Sequence, residues 1–289
     1  MNQKLASKRA LQDFLNGRKT TTQVKYSINQ LLVIGSGPWS QRIKSVLNTN
    51  RNQIEVTSMG ARDFLRLDST NIGVNTKEQI IWIATTPTIQ FEVLNKIEFL
   101  QNRVIIEKPF ATNSKELESF IEISNMSKNT LYLSEPWKYS KIWMFIKNKI
   151  GEQNSLQDIV IYRGGPKTRS YINPVWDWIQ HDLGLVGELL KERQDTVQIG
   201  FEWLNEGKTL KLKIISDSKF NIEINVGYFP ERVEFWKIND TEVVNFNDNQ
   251  FVHDQPLCTM YEYVQSNGFT NDLIKQSWLT NKVIRVLAS

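Results

Sequence analysis

Between residues 30 and 135 the chain repeats one pattern: a short apolar run, a turn of Gly, Thr or Pro, then a segment of helical period. The first run is Leu31-Leu32-Val33-Ile34, and others fall at 54–59, 80–84, 104–106 and 132–134. Runs this short that stay apolar without alternating fit strands covered on both faces, hence a parallel sheet. Helical segments are expected at 39–47, 89–100 and 113–125, the last capped by Asn113 or Ser114. Strand–helix alternation of this kind specifies a Rossmann-type doubly wound α/β sheet.

After about residue 150 the rhythm changes. Strands are expected at 159–162, 196–203, 210–215, 222–226 and 233–237, and Asn205-Glu206-Gly207 and Ser216-Asp217-Ser218 read as hairpin turns. One strong helix at 174–191 interrupts the series, and helices at 257–264 and 271–287 close the chain. This predicts an α+β domain with a mostly antiparallel sheet. The expected division is an extension over 1–29, a dinucleotide-binding domain over 30–148 and a substrate and oligomerisation domain over 149–289. Within the extension, residues 6–15 suit a short amphipathic helix on a surface arm.

Composition narrows the function classes. A net charge of +4 on 289 residues is too small for the basic surface that a nucleic-acid binder concentrates. A single cysteine, Cys258, excludes an intrachain disulfide and suits a reducing compartment. No run approaches the roughly 18 apolar residues of a membrane span, and the first thirty residues lack a signal-peptide core. These features predict a soluble, cytoplasmic protein with neither nucleic acid nor membrane as partner. One cysteine and two distant histidines, His181 and His253, also give no metal-ligand spacing, so no metal is expected. His253 lies in a polar, loop-like stretch.

The first turn, Gly35-Ser36-Gly37-Pro38-Trp39-Ser40, joins a strand to a helix. Glycines let backbone approach a pyrophosphate, and the helix N-terminus offers free N–H groups and partial positive charge. Ser40 stands at the third small position, and Pro38 suits a first helical turn while removing one donor. Two glycines alone would equally fit an ordinary strand-to-helix turn. The next strand ends at Gly60-Ala61-Arg62-Asp63, where a ribose-reading residue belongs. Arg62 suits the 2′-phosphate of NADP, and Asp63, one step late, keeps NAD open.

At Glu107-Lys108-Pro109 the chain resembles the "EKP" segment of the glucose–fructose oxidoreductase and inositol dehydrogenase (Gfo/Idh/MocA) family. Residues 32–42 resemble its glycine turn, and Ala84-Thr85-Thr86-Pro87 resembles its "ATPP" turn. Residues 175–182, Val-Trp-Asp-Trp-Ile-Gln-His-Asp, resemble its "D-x-x-x-H-D" helix, and 277–288 its closing helix. The resemblance implies a nucleotide domain followed by a domain with a large open sheet, the last helix packing back on the first domain. It implies hydride transfer between a nicotinamide and a hydroxyl or keto carbon of a sugar, sugar nucleotide or polyol. Catalysis would fall on Lys108, His181 and Asp177, with Pro109 in a cis peptide. Cofactor contacts would fall on Gly35, Gly37, Pro38, Trp39 and Ser40, on Arg62, on Thr85, Thr86 and Pro87, and on Glu107, Lys108 and Pro109. A homo-oligomer, a dimer through the open sheet face, is also implied. Departures are Gln90 where relatives often carry histidine, Lys138 where they often carry arginine, and Ala61 at the acidic ribose-reading position.

Periodicity supports the same helix independently. With a start at Asn173-Pro174, Trp176, Ile179, Leu183, Val186 and Leu190 share an apolar stripe, while Asp177, His181, Gly184 and Glu188 share another. Two titratable groups a turn apart beside a glycine suit a substrate alcohol; a polar stripe facing water is the plainer alternative. Trp137, Lys138, Tyr139 and Arg163 are candidate substrate-pocket residues, although tryptophan serves a core equally well. No phosphate loop or nucleophile elbow occurs. A dinucleotide-binding protein of this fold that has lost catalysis is the rival reading.

Overall fold

The computed structural model describes residues 29–50, 54–67, 80–98, 102–151, 157–166, 169–191, 196–217, 220–239, 242–246, 255–266 and 277–288. The expected N-terminal helix and His253 lie outside them. The chain forms two compact units. The first comprises Met1–Ala111, Lys115–Ser134 and Tyr261–Leu273; the second comprises Thr112–Ser114, Glu135–Met260 and Ile274–Ser289.

The first unit holds a five-stranded parallel sheet of order β2-β1-β3-β4-β5, with β1 at Asn29–Ile34, β2 at Ile54–Met59, β3 at Ile80–Ile83, β4 at Arg103–Ile106 and β5 at Thr130–Leu133. The sheet is doubly wound, as the apolar runs predict. Its helices are α1 (Pro38–Asn50), α2 (Ala61–Leu65), α3 (Pro87–Ile97) and α4 (Ser114–Met126). Proline opens both α1 and α3, where its missing N–H costs nothing. Residues 31–34, 80–83 and 104–106 are all buried, because helices cover both faces of the sheet.

The second unit holds a six-stranded sheet of order β11-β10-β6-β9-β8-β7. Its strands are β6 (Gln157–Gly165), β7 (Val197–Leu204), β8 (Thr209–Ser216), β9 (Phe220–Tyr228), β10 (Val233–Ile238) and β11 (Glu242–Asn245). Only the β6–β9 pair is parallel; the other four pairs are antiparallel. Helix α6 (Pro174–Lys191) lies on one face of this sheet, against β6, β8 and β9. Asn173 caps it, its Oδ1 accepting from the Val175 N–H at 2.9 Å.

The boundary falls at Ser134/Glu135 instead of near 148. The cause is α5 (Lys141–Gly151), whose apolar face of Ile142, Trp143, Ile146 and Ile150 joins the core of the second unit. There Trp143 meets Trp236 edge to face at 5.8 Å. The closing helix α8 (Trp278–Ala288) packs on α6 and β7 of the second unit. Helix α7 (Pro256–Ser266) passes from one unit's residues to the other's at Met260/Tyr261. Among the described residues no helix is long and apolar enough to cross a membrane.

Candidate functional site

In the first unit, three turns follow the neighbouring strands β1, β3 and β4 at the C-terminal edge of the sheet. The backbone ladder runs on into them: Gly35 N–H donates to Met59 O, Ala84 N–H to Ile34 O and Glu107 N–H to Ile83 O, at 2.8, 2.8 and 3.1 Å. Ligands bind at this edge in open α/β sheets. Gly35 has φ +151°, and a Cβ there would stand 2.3 Å from the Ala84 carbonyl oxygen, so only glycine fits. Gly37 is the opposite case, with no atom within 4 Å of where a Cβ would stand. Ser36, Gly37, Pro38 and Trp39 are exposed, while Ser40 is buried and donates its hydroxyl to Gly37 O at 2.7 Å. The Arg42 guanidinium lies 5.8 Å from the Trp39 ring centre. This leaves an open cradle above the start of α1, a shape that fits a pyrophosphate.

Arg62 is exposed on α2, directly after β2, with Asp63 exposed beside it. Thr85 and Thr86 are half-buried between β3 and α3, and Pro87 is buried at the first position of α3. The Lys108–Pro109 peptide is cis, as the resemblance implies. Glu107 is buried, and its carboxylate accepts the Trp82 indole N–H at 2.8 Å. Burial pushes its pKa up from the ordinary value, against hydrogen bonds from neighbouring side chains and the charge of Lys108. Lys108 is half-buried. Gln90 is buried at the base of α3, and its amide nitrogen donates to Thr85 O and Glu107 O, each at 2.9 Å. Sequence reasoning treats Gln90 only as a departure; the structure makes it the tie between two turns.

In the second unit, α6 presents Asp177 and His181, both half-buried, one turn apart. Arg169 reaches Asp177 with Nη1–Oδ1 at 3.2 Å. Desolvation raises the Asp177 pKa, and Arg169 pulls it back. The lower part of the polar stripe is filled. Glu188 accepts from Trp143 Nε1 at 3.1 Å and from Lys147 Nζ at 2.9 Å. Gly184 is no empty notch: the paired Glu135 and Lys138 lie over it, and a Cβ there would stand 2.0 Å from Glu135 Oε1.

Gly184→Ala should therefore lower stability by about 1–3 kcal/mol, the usual range for overpacking. Chemical denaturation measures it, and a second change, Glu135→Ala, should recover part of the loss. An alanine at 184 that costs nothing would mean the ion pair is free to move aside.

The remaining pocket candidates divide. Tyr139 and Trp137 are half-buried, and Trp137 packs edge to face on Phe246 at 5.2 Å. The structure gives Arg163 a different task from substrate binding. It is almost fully buried, its Nε and Nη2 donate to both Asp182 oxygens at 2.6 and 3.0 Å, and its guanidinium stacks over Phe246 at 4.5 Å. A guanidinium 1% exposed and held bidentately by a buried carboxylate is turned into the core, away from any surface where a ligand could reach it. Its partner Asp182 also accepts from Trp236 Nε1 at 3.1 Å, so the residue after His181 anchors the helix. Among the described residues no group of three or more His, Cys, Asp or Glu side chains is arranged to hold a metal ion.

No protein-family model matches the sequence, and no curated protein matches it. Solved structures do match. A UDP-N-acetylglucosamine 3-dehydrogenase from Acidithiobacillus ferrooxidans is 14% identical with a TM-score of 0.63, over 89% of this chain and 96% of that one. A dehydrogenase from Thermus thermophilus, solved with NAD and UDP-GlcNAcA, is 12% identical with a TM-score of 0.64, over 90% and 95%. A myo-inositol dehydrogenase from Corynebacterium glutamicum is 9% identical with a TM-score of 0.64, over 90% and 96%. At these identities the likeness speaks for the fold alone. The chain thus has the two-domain fold of the Gfo/Idh/MocA-type dehydrogenases.

Proposed function

We propose that the protein is an NADP-preferring oxidoreductase that moves a hydride between nicotinamide and a hydroxyl or keto carbon of a sugar, sugar nucleotide or polyol. The observation that carries this is the open glycine cradle beside the Glu107-Lys108-Pro109 turn on one sheet edge. The cradle and α1 would hold the pyrophosphate, and exposed Arg62 would meet a 2′-phosphate. Thr85 to Pro87 and Glu107 to Pro109 would border the nicotinamide half. A bound nicotinamide supplies the hydride acceptor or donor. Lys108 polarises the substrate oxygen, His181 takes or supplies the hydroxyl proton, and Asp177 orients the substrate. Trp137, Lys138 and Tyr139 remain the candidates for substrate contact, and Arg163 serves the fold.

Titration with NADPH and NADH, following energy transfer from tryptophan, tests the reading. NADPH should bind the more tightly, and Arg62→Glu should cost it roughly tenfold, the value of one charged hydrogen bond. If neither nicotinamide binds in either redox state, the reading fails.

A second expectation concerns pH. Burial holds the Asp177 pKa above the ordinary carboxylate value, so activity that needs its ionised form falls away on the acid side. Arg169→Met removes the cation that favours the charged form, so the acid limb of kcat/KM should move to higher pH. Arg169 is itself more than half exposed, so the displacement should stay under about one unit. A limb that stays in place would separate Asp177 from the chemistry.

The protein is further read as a cytoplasmic homo-oligomer. The sheet face turned away from α6 carries Tyr162 stacked on Phe235 at 5.0 Å, an aromatic surface that suits a subunit interface.

A further inference from the structure

Gln90 makes an arrangement that packing alone does not require. Its amide nitrogen donates to Thr85 O and Glu107 O at 2.9 Å each and lies 3.5 Å from Pro109 O. One nitrogen therefore touches the carbonyls on both sides of Lys108. Glu107 is gripped a second time, by the Trp82 indole on its carboxylate at 2.8 Å. Two carbonyls as partners fix which way the amide faces, since only the NH2 group can serve them. The consequence is that Gln90 Oε1 is buried with no hydrogen-bond partner. A buried acceptor left alone costs stability, and an apolar side chain of similar size would avoid that cost. The donors are kept in spite of it.

We infer that Gln90 is the positioning residue of Lys108: its amide nitrogen sets the distance between the Thr85 turn and the Glu107–Pro109 turn, and so places the Lys108 backbone. This rests on the hydride-transfer reading for its catalytic consequence, but not for its geometry. The charged groups at this turn are Glu107, whose carboxylate faces Trp82, and Lys108 itself.

Two variants test it. Gln90→Met keeps the length and removes both donors. Gln90→Glu restores one donor when protonated and, when ionised, sets a negative charge against two carbonyl oxygens. The first readout is competitive acetylation of the folded protein, with peptide mass spectrometry comparing Lys108 with the other lysines. Its relative rate should change at least about threefold in Gln90→Met and should vary with pH in Gln90→Glu alone, as a buried carboxyl titrates. The second is steady-state kinetics. For Gln90→Met, kcat should fall about 10- to 100-fold, as a misplacement near 1 Å does, with the cofactor dissociation constant held. Gln90→Glu should show an added loss of kcat as pH rises that the unaltered protein lacks. Unchanged Lys108 labelling in both folded variants overturns the inference. So does full kcat in Gln90→Met, or a pH profile of Gln90→Glu that matches the parent. If the unaltered protein binds no nicotinamide, the hydride-transfer reading falls by itself, and the labelling still decides whether Gln90 places Lys108.

Discussion

Asp182→Ala should destabilise the second unit by about 3–5 kcal/mol, the cost of leaving a buried charge without its partner. Asp182 is fully buried and accepts from Arg163 twice and from Trp236 once. Without it, the Arg163 guanidinium stays in the core with Glu234 at 3.9 Å as its nearest anion and Phe246 beneath it. Water cannot reach it without opening the β6–α6 contact. Urea unfolding followed by the tryptophans Trp143 and Trp236 measures the loss. Replacing both partners with apolar residues, Arg163→Met with Asp182→Leu, should cost much less than either single removal, because no charge is then stranded. Equal losses in the double and the single variants would mean the pair itself stabilises the fold.

The second large effect is on turnover. His181→Asn and Lys108→Met should each lower kcat/KM by about 10²–10⁴, the usual contribution of a positioned acid–base or polarising group. His181 stands on a capped helix whose next residue is locked to β6, so its Cα is fixed by structure that the substitution does not touch. His181→Asn touches none of the proposed cofactor contacts, so NADPH titration of that variant should give the parent's affinity. Full activity in both would remove the mechanism while leaving the dinucleotide site intact. Binding without turnover in the unaltered protein, across sugars, sugar nucleotides and polyols, would favour a protein of this fold that has lost catalysis.

The parallel sheet was legible because each strand carries its own signal: four or so apolar residues with no polar alternation mean cover on both faces. The glycine turn was legible as two glycines directly after an apolar run, although the atom that demands Gly35 is the Ala84 carbonyl oxygen just past another strand, and the cis Lys108–Pro109 peptide was legible only through the family resemblance. What stayed hidden depends on distant partners. Lys141–Gly151 has an amphipathic pattern, but nothing local says which core its apolar face joins. Arg163 reads from sequence as a candidate substrate-pocket residue; Asp182, which pairs with it in the core, sits on another element. Gly184 resembles a vacant notch on a polar stripe until Glu135 and Lys138 are seen to occupy it. Gln90 stands out only as a departure from the family's usual histidine, and its role stays hidden because an amide that ties two turns has the same sequence signature as an amide facing water.

The return of Tyr261–Leu273 to the first unit bears on how the protein is made. Tyr261 and Val264 are buried, and Arg103 at the head of β4 donates to Gln265 O at 3.0 Å. A ribosome delivers β1 to β5 early, yet the segment that completes their packing emerges only after the whole second sheet. The nascent first unit must therefore wait, with apolar surface near β4 and β5 uncovered, for residues made more than a hundred positions later. Contacts this distant slow folding and lengthen exposure to aggregation. A fragment ending at Ser134 would meet the same problem permanently. Preparing the first unit alone therefore calls for a splice that joins Tyr261–Leu273 back to it, rather than a cut.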